Sequence, residues 1–313
     1  MRGRTRGPAR LLLVTALLLG TALGAAATAG ATPARAADCA DTTVFEADGY
    51  RGGQTLPNWN ASAFNASPPA GWKIVPVPYD AYIFPGVDPQ TLDASVAQGV
   101  GLMRAAVLDE HRACPGTRLV LAGFSEGAIV AGNALETFAG STEIPHEQLN
   151  GVLYGNPRRP FGEGGTGGRA GGIETNLPTI LPGVTMQGGH DYGDLAVRNV
   201  CNENDGICNS ANLITNLPAF ANGLAGYRGG DHDYTLDPAA DLGSGLLFHR
   251  QPPRLPYGPP VSADVGTPWE IQQRFGGSGA EQRVAAARPG LTALLGPGPT
   301  DQPWYRLVTA ARP

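Results

Sequence analysis

Residues 118–138 place a strand, a five-residue turn and a helix almost end to end. Arg118–Ala122 is a short apolar run that reads as a strand, and Gly127–Phe138 reads as a helix. Gly123-Phe124-Ser125-Glu126-Gly127 joins them. The same alternation extends to both sides. Thr42–Phe45, Trp72–Val77 and Val152–Tyr154 read as strands. Leu92, Val96, Val100, Met103 and Val107 recur at helical spacing. Asp88-Pro89 supplies an N-cap followed by proline at the first helical position, so a helix is predicted from Asp88 to about Arg112, ended by Cys114-Pro115-Gly116. Strands that alternate with helices predict an α/β chain whose parallel sheet is covered on both faces. In such sheets the chemistry gathers at the carboxyl ends of the strands.

The N-terminus reads as a targeting segment over residues 1–36. Arg2, Arg4, Arg6 and Arg10 precede an apolar run from Leu11 to Leu23, and Ala34-Arg35-Ala36 is a small-x-small cleavage signal. The expected mature chain begins near Ala37. The alternative is an uncleaved anchor, which needs about 20 apolar residues. No later stretch is long or apolar enough to span a membrane. With 16% charged residues and a net charge of −5, the chain has no electrostatic footprint for nucleic acid or an anionic membrane surface.

Export would put the chain where disulfides persist. Cys39, Cys114, Cys201 and Cys208 all lie beyond the cleavage signal, and four cysteines allow three connectivities. The close pair Cys201/Cys208 can clamp a short loop, which would leave Cys39 and Cys114 to tie the mature N-terminus to the middle of the chain. The spacings lack a C-x-x-C pair, so zinc is not expected. Gly162–Gly172 is glycine-rich but has no G-K-[ST], and it reads as a surface loop rather than a phosphate cradle. After about Gln251 the chain turns Pro-rich, with a capping box at Thr267-Pro268-Trp269-Glu270.

The turn fits G-x-S-x-G in the setting a nucleophile elbow requires, with a strand before it and a helix after it. A serine needs a base to take its proton, and that base needs an acid to orient it. His111 precedes the serine, His146 follows it too closely, and His190 leaves few residues for an acid. His249 ends an apolar, helical-looking run. His232, in the polar stretch Gly230-Asp231-His232-Asp233-Tyr234, lies late in the chain, where the order Ser, acid, His places the base. Asp205, flanked by Cys201 and Cys208, is the favoured acid, and Asp194 is its competitor. Asp231 and Asp233 are too near His232 in sequence to face its ring.

These residues resemble the cutinase family and its actinobacterial relatives, the PE-PPE-domain serine hydrolases. Cys114-Pro115, a strand and Gly123-Phe124-Ser125-Glu126-Gly127-Ala128 are similar to the cutinase segment C-P-(strand)-G-[YF]-S-Q-G-A. Cys201-Asn202-Glu203-Asn204-Asp205-Gly206-Ile207-Cys208 resembles the cutinase loop with an aspartate between paired cysteines. Asn156-Pro157-Arg158-Arg159-Pro160, then Gly171-Gly172-Ile173, resembles the N-P-x-R-P-x-G-G-I signature of PE-PPE domains, and His232-Asp233-Tyr234 resembles their H-x-Y ending. The element Gly155-Asn156-Pro157-Arg158-Arg159-Pro160 is also similar to phage mycolylarabinogalactan esterases.

The resemblance covers roughly residues 39–236. It implies an α/β-hydrolase fold over residues 37–250, with a central, mostly parallel sheet and a C-terminal extension over 251–313. It implies a triad of Ser125, Asp205 and His232, and disulfides Cys39–Cys114 and Cys201–Cys208. The expected oxyanion donors are the backbone N–H groups of Glu126 and Tyr50. Two positions depart from the family. Glu126 stands where cutinases carry glutamine, and Tyr50 stands where they place a Ser or Thr. The implied activity is a secreted serine esterase acting on lipid, polyester or acyl esters, with no cofactor. A cell-envelope mycolyl-ester hydrolase or acyltransferase is the narrower alternative. A non-catalytic envelope-binding protein on the same fold is the alternative class.

Overall fold

The structure, a computed structural model, describes residues 39–50, 59–161, 171–211 and 217–254. The targeting segment, most of the glycine-rich stretch and the capping box at Thr267 lie outside the described residues.

Among the described residues, six strands and four α-helices follow in chain order: β1 (Thr42–Ala47), α1 (Ala63–Ala66), β2 (Trp72–Pro76), α2 (Leu92–Ala113), β3 (Arg118–Phe124), α3 (Glu126–Ala139), β4 (Leu149–Tyr154), β5 (Ala196–Asn202), α4 (Leu217–Arg228) and β6 (Gly245–His249). The described strands form a six-stranded sheet in the order β2-β1-β3-β4-β5-β6. Every pair in it is parallel. From β2 the chain crosses β1 and then proceeds strand by strand to β6. The direction of winding therefore reverses between β1 and β3, and loops after neighbouring strands part there to leave a crevice.

Two apolar layers hold the sheet. Alternate residues of β3 divide between them, because side chains of a strand point to opposite faces. Leu119 and Leu121 join Val96, Met103 and Val107 of α2 and Ile129, Leu135 and Phe138 of α3 on one face. Val120, Ala122 and Phe124 join Trp59, Phe64, Tyr154 and Leu236 on the other. Leu119, Val120, Leu121 and Ala122 are fully buried. Full burial of one such leucine stabilises the fold by roughly 1.5–3 kcal/mol. Two disulfides join Cys39 to Cys114 and Cys201 to Cys208. No helix among the described residues is long and apolar enough to cross a membrane.

Two sequence expectations fail for local reasons. The long helix begins at Leu92 with Thr91 as its N-cap, whose side chain accepts from Ala94 N–H. The Asp88 carboxylate is occupied elsewhere: its Oδ2 accepts from the backbone N–H of Ile83 at 3.0 Å and of Phe84 at 2.7 Å. His249 ends a strand rather than a helix. Gly245–His249 is only five residues long, and it pairs along β5 from Arg198 to Asn202.

Candidate active site

Ser125 sits between the last residue of β3 and the first of α3, with φ +56° and ψ −119°. A non-glycine residue with positive φ carries backbone strain that its surroundings must hold in place. Those surroundings are specific. Ser125 N–H donates to Tyr154 O of β4 at 2.9 Å. A Cβ at Gly123 would lie 2.1 Å from Gly127 O, and one at Gly127 would lie 2.0 Å from Ala47 O, so both flanking positions require glycine. Ser125 occupies the N-cap position of α3 yet makes no side-chain cap bond, which leaves its hydroxyl uncommitted to the helix. The loop leaving β1 runs directly against it. A Cβ at Gly49 would stand 3.0 Å from the Ser125 Cβ.

Asp205 and His232, 27 residues apart in sequence, meet at 2.8 Å between Oδ2 and Nδ1. Asp205 is fully buried in the turn after β5, and His232 is 8% exposed in the turn after α4. A carboxylate only accepts, so Nδ1 carries the proton shared in this contact. The His232 Nε2 is buried with no hydrogen-bond partner among the described residues. The imidazole is held on two sides by rings, Phe124 at 5.0 Å and Tyr227 at 5.2 Å between centroids.

The acid is itself held. Asp205 Oδ1 accepts from Ile207 N–H at 2.9 Å, and Cys201–Cys208 closes the turn around it. Arg159, from the Asn156–Pro160 stretch, is fully buried and donates through Nε to Cys208 O at 2.6 Å. Tyr234 donates to Asp205 Oδ2 at 2.6 Å and accepts from Asn202 N–H at 3.1 Å. Burial, then the neighbouring Asp205 charge, pushes the Tyr234 hydroxyl well above its usual pKa, so it remains a donor. Sequence reasoning assigned no task to Arg159 or Tyr234. Their places in the N-P-x-R-P and H-x-Y patterns were the available signal.

On the other side of Ser125, the Glu126 carboxylate is turned toward α2. Its Oε1 accepts from Ser95 Oγ at 2.7 Å, and Ser95 Oγ accepts from Tyr82 N–H at 3.0 Å. That bond turns the carboxylate toward Ser95, and the Glu126 N–H remains at the start of α3. Tyr50 follows Gly49 on the crossing loop. Its ring meets Phe84 edge-on at 5.5 Å, and its hydroxyl donates to Asp88 Oδ1 at 3.3 Å. Below Phe124 and Tyr234, on the face that carries Trp59, lies a cavity of about 390 Å³ bounded by Ala61–Ala63 and Asp233–Leu236.

The other candidates go elsewhere. Asp194 is exposed and lies 2.6 Å from Nδ1 of His146, and among the described residues it is bonded to none of the triad residues. Burial, then the positive charge of Arg158, holds His190 neutral well below the usual imidazole range. Its Nε2 donates to Asn133 Oδ1 at 2.9 Å, within a network that also binds Asn156 and Tyr192. Asp231 is bound by Arg254 rather than by the ring of its neighbour.

Among known protein families, the cutinase family matches residues 38–222. The carboxylesterase Culp6 homolog of Corynebacterium glutamicum is 30% identical over 185 residues, covering 53% of this chain and 60% of that protein. The esterase PE16 of Mycobacterium tuberculosis is 30% identical over 171 residues, covering 52% of this chain and 30% of that protein. A cutinase of Kineococcus radiotolerans is 34% identical over 125 residues, covering 38% of this chain and 35% of that protein. The match thus spans less than two thirds of each of these relatives.

Proposed function

The chain belongs to the cutinase family, and from that membership we propose that it is a secreted serine esterase that cleaves carboxylic esters through an acyl-enzyme. The observation that carries this reading is the 2.8 Å contact between Asp205 Oδ2 and His232 Nδ1, together with a strained Ser125 at the start of α3. It fixes the tautomer that leaves Nε2 of His232 free to act as a base.

In this reading Ser125 Oγ attacks the ester carbonyl while His232 Nε2 takes its proton. The imidazolium is stabilised by Asp205 and returns the proton to the departing alcohol. Water then attacks the acyl-enzyme by the same route in reverse. The N–H groups of Glu126 and Tyr50 stabilise the tetrahedral oxyanion, a contribution of about 3–4 kcal/mol per donor in comparable sites. Export is supported by the basic and apolar N-terminal segment and by two disulfides that persist in an oxidising compartment. Lipid, polyester and short acyl esters are the substrate classes the family suggests. Hydrolysis of p-nitrophenyl esters of graded chain length by the purified chain tests the proposal. Turnover that is lost in Ser125→Ala supports it. Absence of turnover across the series favours a binding protein on this fold.

A further inference from the structure

The pairing of Asp205 with His232 joins two turns that belong to different elements. The acid turn has its own disulfide. The turn from Gly229 to Asp233 has short backbone bonds to the end of α4, among them Asp231 N–H to Gly226 O at 2.9 Å, and one bond from β5, Asn202 Nδ2 to Asp231 O at 2.8 Å. A segment beyond the cutinase match, Arg250–Arg254, crosses both turns.

Gln251 spans the gap with one amide. Its Oε1 accepts from the backbone N–H of Asn204 at 3.0 Å, and its Nε2 donates to Asp231 Oδ1 at 3.0 Å. Asn204 precedes Asp205, and Asp231 precedes His232. Only one amide orientation satisfies both ends, because the backbone N–H only donates and the carboxylate only accepts. Arg254 then grips Asp231 with two bonds, Nε to Oδ2 at 2.6 Å and an Nη to Oδ1 at 2.7 Å. Its backbone N–H donates to Asn222 Oδ1 at 2.8 Å, and Asn222 Nδ2 donates to Asn204 Oδ1 at 2.9 Å. Pro252 O accepts from Asn204 Nδ2 at 2.8 Å. Asn204, Asn222 and Asp231 are all buried, while the Arg254 side chain stays 45% exposed.

From this geometry we propose that Gln251 and Arg254 are positioning residues that hold the His232 turn in register with the Asp205 turn. The proposal rests on the Ser125–Asp205–His232 reading. A planar guanidinium that forks onto a carboxylate fixes direction as well as distance, which a lysine ammonium does not. A reacting group displaced by about 1 Å can lose roughly 100-fold in rate. Loosening the strap therefore acts on turnover rather than on substrate binding.

The test is steady-state hydrolysis of p-nitrophenyl butyrate by the full chain and by Gln251→Ala, Gln251→Glu, Arg254→Ala, Arg254→Lys and His232→Ala, with Arg250→Ala as a control on the same segment. Arg250 pairs with Glu203 at 2.8 Å and lies over the Phe248 ring at 5.5 Å, well exposed and with no bond to Asn204 or Asp231 among the described residues. Expected is a kcat lower by about 10- to 100-fold for Gln251→Ala and Arg254→Ala with KM within twofold, an intermediate loss for Arg254→Lys, and no change for Arg250→Ala. Phosphonylation of Ser125 slows in the same proportion. Wild-type kcat in Gln251→Ala and Arg254→Ala, with His232→Ala inactive, overturns the strap and leaves the triad reading standing. Wild-type kcat in His232→Ala overturns both. If either alanine variant fails to fold, Gln251→Glu and Arg254→Lys decide, and wild-type kcat in both overturns the proposal.

Discussion

Tyr234 places its hydroxyl 2.6 Å from the same Asp205 oxygen that receives the Nδ1–H of His232. The two donors converge on one oxygen, so that oxygen cannot rotate away from the imidazole without losing both. Removing the tyrosine hydroxyl leaves the carboxylate, among the described residues, tethered by Ile207 N–H and His232. A hydrogen bond to a charged group is worth about 1.5–3 kcal/mol. Tyr234→Phe is therefore expected to lower kcat by about 10-fold with KM retained. It is also expected to lower the thermal midpoint, because Asn202 N–H loses its acceptor. Parallel kinetics and melting curves check both.

The two disulfides should have separable effects. Cys39–Cys114 closes 75 residues and Cys201–Cys208 closes 7. On a chain-entropy account the first stabilises by about 4 kcal/mol and the second by about 2 kcal/mol. The second, however, surrounds Asp205. The pair Cys39→Ser/Cys114→Ser is expected to melt earlier while keeping kcat, and Cys201→Ser/Cys208→Ser to lose kcat out of proportion to its smaller loss of stability. Equal kcat in both double variants would contradict a role for the short loop in aiming the acid.

Glu46 gives a pH-dependent prediction away from the site. Burial, opposed by the bond from Asn65 and reinforced by Asp48, pushes its carboxyl from 4.5 to about 7. Between these values the folded chain holds a proton that the unfolded chain has released, so stability falls as pH rises through that window. Below about pH 4.5 the contribution is fully present. At pH 8 the charged carboxylate costs up to about 3 kcal/mol relative to that limit. Glu46→Gln keeps an acceptor for Asn65 and removes the ionisation. Its melting temperature relative to the parent chain should rise between pH 5 and pH 8. A difference that does not change with pH would contradict the shift.

How much of this was legible in the sequence differs by element. The turn at Ser125 was legible because strand, glycines and helix are contiguous there, and the helix through Leu92, Val96 and Met103 because its stripe repeats. The fifth strand was not, since Arg198, Asn199 and Asn202 interrupt its apolar residues, and the sixth reads as helix because three apolar residues, Leu246–Phe248, carry no period. Asp88 looked like a cap, and only the folded loop shows its carboxylate taken by Ile83 and Phe84. The cysteine-flanked Asp205 and the late His232 could be nominated from order and flanks. The N-P-x-R-P pattern marked Arg159, but its task did not show, because the carbonyl it binds lies 49 residues away.

The acid assignment separates two aspartates with opposite surroundings. Asp205 is fully buried against His232, whereas Asp194 has three quarters of its side chain exposed and pairs with His146. Asp205→Asn is expected to fold normally by circular dichroism and to lower kcat by about 10⁴, the loss expected when the imidazole no longer holds the productive tautomer. Asp194→Asn should change kcat by less than about twofold, as an exposed pair contributes at most about 1 kcal/mol. A large loss in Asp194→Asn instead would move the acid to that position.

The central claim is that Ser125 is the nucleophile, and covalent labelling tests it most directly. The full chain is treated with an organophosphonate, digested, and mapped by mass spectrometry, with Ser125→Ala treated in parallel. The account predicts one adduct, on the peptide carrying Gly123-Phe124-Ser125-Glu126-Gly127, loss of esterase activity in step with labelling, and no adduct on Ser125→Ala. A stoichiometric adduct on another serine, or esterase activity that survives in Ser125→Ala, would contradict it.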